Sequence, residues 1–224
     1  MKRRDFLRAT ATAGIASAMV SFPPRLSALE RWRFRATSAG ARRRQRFPAM
    51  TLTTHDGQHV RLYDDLLAGK TVVLHFMYTS CTRSCPLTTA NLARVRDLLG
   101  PRMGRDVFIY SITVDPTYDT PARLREYAEL VDVSPGWLFL TGNDCDILAL
   151  RKRLGDDPSR AFGGSNHLGL LAFGIEPLER WAACPAQLHP QWIVRYLSWL
   201  DPKGERPDGW WPAGHAAAHT DGPE

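Results

Sequence analysis

The chain has 224 residues, of which 44% are hydrophobic and 23% charged, a balance that suits one globular domain. Its formal charge is +6, yet residues 1–28 hold Lys2, Arg3, Arg4, Arg8 and Arg25 against Asp5 alone, so about +2 remains beyond them. That remainder excludes a nucleic-acid binder driven by net charge, and the N-terminal apolar run is shorter than the ~20 residues of a membrane span.

Read from the start, "MKRRDFLRAT" is a basic stretch, "ATATAGIASAMV" a mild apolar run, and Pro23-Pro24 leads to small residues ending at Ala28. This order predicts an export signal over residues 1–28. Arg3-Arg4 with Phe6-Leu7 resembles the twin-arginine class, which exports folded proteins. The protein is therefore expected in the periplasm, or anchored at the membrane if the signal is not cleaved. Residues 29–46 ("RWRFRATSAGARRRQR" from Arg31) read as a solvated basic tether, with weak contact to an anionic membrane surface as the second reading. An oxidising compartment permits disulfides among Cys81, Cys85, Cys145 and Cys184, and spacing alone does not choose a pairing.

The domain proper is expected over residues 47–205. "FPAMTLTTHDGQHVRLYDDL" predicts a hairpin turning at Asp56-Gly57. Lys70–Tyr78 is almost unbroken in apolarity, as in a strand buried on both faces, and its His75 reads as a packed core residue. "CPLTTANLARVRDLLG" spaces Leu87, Leu92, Val95, Leu98 and Leu99 as on one helix face, stopped at Gly100-Pro101. Asp106–Asp115 is a second buried strand. A helix follows, with Asp119 or Thr120 as cap and Pro121 in its first turn. "GWLFLTG" is a third strand, and "DCDILALRKRLG" a helix capped by Asn143 or Asp144 and ended by Gly155. His167–Gly174 predicts a fourth strand and His189–Leu200 a late helix, with Trp192, Ile193, Tyr196, Leu197 and Leu200 on one side. Residues 206–224 form a loose Pro- and Gly-rich tail. Alternating strands and helices predict an α/β fold with a mostly parallel or mixed central sheet flanked by helices, whose sites gather at the carboxyl ends of the strands.

Cys81 and Cys85 fall at such an end, in "YTSCTRSCP". On a helix, residues four apart have Cβ atoms about 5–6 Å apart, so both sulfurs can meet one ion or each other. A helix amino end favours thiolate, the form that binds metal and attacks disulfides. The polar residues around the pair predict an accessible loop. His167 in "GGSNHLGLL" is the candidate third ligand, whereas His55, His59 and His189 lack a comparable setting. His215 and His219, four apart in the tail, are a weaker metal pair. Two thiolates and an imidazole suit copper, and zinc with an open position is also sensible. A zinc hydrolase would want a nearby general base, but no Asp or Glu lies between Tyr78 and Arg96.

"YTSCTRSCP", "SITVDPTYDTP", "GWLFLTG" and the later histidine together resemble the Sco/SenC family over about Leu52 to Gly174. The resemblance implies a thioredoxin-like fold and a copper chaperone or thiol-disulfide reductant serving cytochrome c oxidase assembly. By position, Cys81 and Cys85 take the places of the family's metal-binding cysteines, Asp115 and Pro116 its V-D-P turn, and His167 its ligand histidine. The chain departs from the family at Asn166-His167-Leu168, where Asp-His-Ser is usual. It departs again in "FGIEPLERWAACPAQLHPQW", which replaces the usual D-x-x-G hairpin and brings Cys184.

Two functions follow. The first is an exported metallochaperone that holds one copper ion (Cu+ or Cu2+) on Cys81, Cys85 and His167 and passes it to a receiving protein such as a cytochrome c oxidase subunit. The second is a periplasmic thiol-disulfide reductase that cycles the same dithiol. Three residues between the cysteines, rather than two, and the absence of proline from Ser159 to Gly174 favour the metal. Either way a thiol reductant is an expected partner, because a disulfide cannot hold the ion.

Overall fold

The computed structural model describes residues 40–160 and 169–201, except Arg83, Asp132 and Ser134. The expected signal, the first part of the tether, His167, His215, His219 and the tail lie outside the described residues. The described residues belong to one compact unit that begins at Gly40. None of their helices is long and apolar enough to cross a membrane.

The predicted hairpin forms from β1 (Thr51–Thr54) and β2 (His59–Arg61), paired antiparallel. Gly57 takes φ 83°, a left-handed conformation that its missing Cβ makes cheap. A wide helical turn, Leu62–Leu67, follows and buries Leu62, Leu66 and Leu67. Then come β3 (Thr71–Met77), α1 (Ser84–Leu99), β4 (Val107–Thr113), α2 (Pro121–Glu129), β5 (Trp137–Gly142) and α3 (Asp144–Arg153). The last described elements are β6 (Leu170–Ile175), β7 (Arg180–Pro185) and α4 (Pro190–Leu200). The caps are local. Thr120 accepts the Arg123 N–H, and Asn143 Oδ1 accepts those of Cys145 and Asp146.

The seven strands among the described residues lie in the order β2-β1-β5-β4-β3-β6-β7. Only the β5-β4-β3 neighbours are parallel. The sheet is therefore mixed, because hairpins supply both flanks of its parallel centre. The β1–β2 hairpin adds antiparallel to β5, while β6 runs antiparallel to β3 and turns directly into β7. The segment that departs from the family pattern thus forms an orderly edge hairpin.

Strand β3 is buried on both sides, as its apolarity predicts. Val73 and Met77 join a core with α1, α2 and α4, whereas Val72, Leu74 and Phe76 join a second core with the wide turn and α3. The result is a three-layer α/β/α arrangement. Helix α1 buries Cys85, Thr88, Thr89, Leu92, Val95 and Leu99. Leu87 and Leu98, expected on that face, are instead 63% and 49% exposed. Two threonines fill the 3–4 spacing that sets the buried stripe, which turns Leu87 outward. The basic stretch ends in helical residues 40–45 rather than in free solvent. There Arg43 Nε pairs with Glu176 at 3.0 Å and Arg44 with Asp64.

Candidate metal centre

Strand β3 ends at Met77, and four residues later the chain reaches Cys81 just before α1. Cys85 sits in the first turn of that helix. The Cys81 sulfur accepts the Cys85 backbone N–H at 3.4 Å, so it occupies one of the orphan donors of the helix start. Ser84 Oγ lies 3.9 Å from the same sulfur, and the Cys81 N–H donates to Tyr78 O at 3.3 Å. Cys81 is thus in the loop, not on the helix, but the predicted pairing of the two thiols is present.

The thiols are less accessible than the polar loop suggested. Ser80 and Thr82 face solvent, while Cys81 is 7% and Cys85 1% exposed. Burial pushes the Cys85 thiol up to about 12, with the neighbouring Cys81 adding to the shift and hydrogen bonds from Tyr78 and Ser84 opposing it. The helix amino end therefore does not make this residue a thiolate in the metal-free protein, because desolvation of the charged form wins. All four cysteines are thiols, Cys145 exposed and Cys184 buried in β7.

The loop is held by a buried carboxylate that sequence reasoning treated as a helix cap. Asp119 is 0% exposed and accepts the Thr79 N–H at 3.0 Å, the Thr79 hydroxyl, and the Thr113 hydroxyl at 2.5 Å. It thereby ties the end of β4 to the residues leading into Cys81. The Asp115-Pro116 turn presents it, with Asp115 Oδ1 accepting the Thr117 hydroxyl at 2.9 Å and Asp115 O the Asp119 N–H at 2.8 Å. The V-D-P-x-x-D-T-P pattern carried this signal, since its second aspartate is Asp119. Tyr127 is a further neighbour. Its hydroxyl meets Thr89 Oγ1 at 3.1 Å, and burial, then the nearby Cys85 and Cys81, raise its pKa.

Among the described residues, no group of three or more His, Cys, Asp or Glu side chains is arranged to hold a metal. His75 is buried under α1 and meets Ser111 Oγ at 3.5 Å. His55 Nδ1 accepts the Phe139 N–H at 3.3 Å, and His59 meets Thr53. These are structural settings. Two sulfurs at a helix start suit a soft cation but need at least one more donor. Strand β6 enters the sheet at the thiol end of β3, with Leu171 opposite His75.

The family model for SCO1/SenC matches residues 38–155. The SCO1 protein homolog of Bacillus subtilis is 34% identical over 93 residues, covering 41% of this chain and 47% of that protein. The chain spans less than half the length of the relatives it matches, such as this one and a SCO2-like protein of Rickettsia conorii at 39%. Among solved structures, a SCO1/SenC family lipoprotein from Bacillus anthracis superposes with a TM-score of 0.58 at 24% identity, over 69% of this chain and 94% of that one. Bradyrhizobium japonicum ScoI with copper bound gives 0.55 at 22%, over 69% and 99%. These likenesses establish the thioredoxin-like fold. With more than half of its residues under the family model and the paired cysteines where the fold gathers its site, the chain belongs to the SCO1/SenC family.

Proposed function

We propose that the protein is an exported copper carrier that binds one ion through Cys81, Cys85 and His167 and delivers it to a cuproprotein such as cytochrome c oxidase. The observation that carries this reading is the contact between the two cysteines, with the Cys85 N–H on the Cys81 sulfur at 3.4 Å. A relative of the same fold holds copper, which supports the choice of ion. His167 precedes Gly169 by two residues in the sequence. Gly169 O accepts the Ala186 N–H at 2.8 Å, beside the strand that enters at the thiol end. Export by the twin-arginine route, with the domain in the periplasm or anchored to the membrane, completes the reading.

The chain's part in transfer is to offer sulfur in a largely dry setting, while a thiol reductant keeps the pair reduced until the ion arrives. Copper is cargo, and each thiol that takes it gives up a proton. The proximity of the two thiols also favours a second reading, dithiol–disulfide exchange. Anaerobic copper titration of the reduced protein, followed by visible absorption, distinguishes the two. A carrier takes up one ion per chain with strong sulfur-to-copper charge transfer. Cys81→Ser and Cys85→Ser then abolish tight binding, and His167→Ala mainly weakens the Cu2+ form. Cysteine variants that hold copper like the parent sink the carrier, and turnover of a disulfide substrate without copper uptake selects the reductase.

A further inference from the structure

Among the described residues, a cluster of exposed positive charge lies away from the thiols. Arg43 Nη1 donates to Pro177 O and Arg46 Nη1 to Glu179 O, each at 3.4 Å, which fixes the helical entry onto the β6–β7 turn. Arg153, at the end of α3, donates from Nε to Arg46 O at 2.6 Å. Arg180 follows directly after Glu179. Arg42, Arg46, Lys152, Arg153 and Arg180 are all exposed. The local carboxylates are largely engaged. Glu176 is buried against Arg43, the Tyr63 hydroxyl and the Gly69 N–H, while Asp64 and Asp65 meet Arg44 and Arg61. Among the described residues, no carboxylate forms an ion pair with Arg42, Arg46, Lys152, Arg153 or Arg180, and Glu179 alone offsets them in the turn itself. Leu178 stands in the same turn, 43% exposed among these cations.

The sheet sets where this face lies. The Glu176 N–H donates to Lys70 O at 3.0 Å, and Arg180 pairs with Ile175, itself opposite Thr71 at the start of β3. Cys81 follows the other end of that strand. At about 3.3 Å per residue, β3 alone separates the two ends by roughly 20 Å.

We propose that this basic face docks the domain on an anionic lipid surface and turns Cys81 and Cys85 away from it. Guanidinium forks match phosphate oxygens, and one apolar side chain ringed by cations suits the headgroup boundary. An acidic protein partner would want a larger apolar centre than Leu178 provides. The chain enters the domain at Gly40 within this face, and its sequence just before carries Arg31, Arg33 and Arg35, so tether and face share one sign of charge. Docked this way, the thiols stand more than two screening lengths of about 8 Å from the lipid charge, open to a protein partner.

The test is co-sedimentation of the full chain with phosphatidylcholine vesicles, with and without about 30% phosphatidylglycerol. Each cation near an anionic surface strengthens binding about fivefold. The parent should partition at least about tenfold better onto the anionic vesicles and lose that preference in about 0.5 M salt. Arg42→Glu/Lys152→Glu, at exposed positions, and Arg46→Ser/Arg153→Ser/Arg180→Ser should each remove most of the preference. Arg94→Glu/Arg125→Glu, on the helices of the other layer, should keep it. A parent without preference overturns the proposal. So does a preference that survives both basic-face variants, which assigns it to residues 1–39, or one lost equally in the control, which assigns it to net charge alone.

Discussion

At Cys85 two opposing effects meet: the positive helix start favours thiolate, and burial at 1% exposure favours thiol. Burial wins, leaving the group at about 12, so capture of a metal must expel its proton throughout the neutral range. The sign follows directly. Protons compete with the ion, and affinity rises with pH by about tenfold per pH unit from Cys85 alone. Chelator-competition titrations at three pH values between about 6 and 8 measure this slope, and a flat profile would contradict a buried thiol ligand. Asp119 acts one residue further out. Its two oxygens receive two hydroxyls and an N–H, whereas an amide offers one oxygen and a donor that clashes with them. Asp119→Asn should cost about 2–3 kcal/mol in urea unfolding. It should also speed the reaction of Cys81 with a thiol reagent in the native state, because the Thr79 anchor of its loop is loosened.

Between elements, the joint most open to test is where the basic entry meets β6 and β7. A Cβ on Gly174 would lie 2.4 Å from the Trp181 ring, so the bare glycine lets that ring lie flat on β6. Phe47 then packs on Trp181 with ring centroids 4.9 Å apart. Trp181→Ala should remove about 2–3 kcal/mol and expose Arg42–Arg46 to trypsin faster than the rest of the domain. Cleavage at the parental rate would show that the ion pairs of Arg43 and Arg44 suffice to hold the entry. This joint was hidden in the sequence, where the arginines read as solvated charge, since their partners Glu176 and Asp64 come from distant segments. The caps at Thr120 and Asn143, the β1–β2 turn and the Cys81–Cys85 pairing were legible because each is decided within a few residues. The buried face of α1 was not, because Thr88 and Thr89 look polar, and only the fold brings the Tyr127 hydroxyl from α2 to Thr89. Strand direction in β6 was equally silent, since periodicity reports which side is buried and not which way a strand runs.

Across the molecule, burial leaves several acids protonated on both sides of the sheet. Cys184 is raised to about 11 and Tyr110 is raised too, both by desolvation, alongside Cys85 at about 12. A folded-state pKa above the unfolded one means that the native state holds its proton more tightly. Stability from these groups is complete below about pH 9, where unfolded thiols begin to ionise, and falls as pH rises toward 11–12. Cys184 alone should account for about 2 kcal/mol of loss between pH 9 and 11. Since it lies in the edge hairpin and not in the proposed copper site, it can be removed without touching the ligands. Cys184→Ala should be slightly less stable than the parent at pH 7 but lose less by pH 11, so that the two urea midpoints converge. The measurement is a set of reduced, metal-free unfolding curves at pH 7, 9 and 11. Parallel curves would mean that solvent reaches the Cys184 sulfur, and that the edge hairpin opens in the native state.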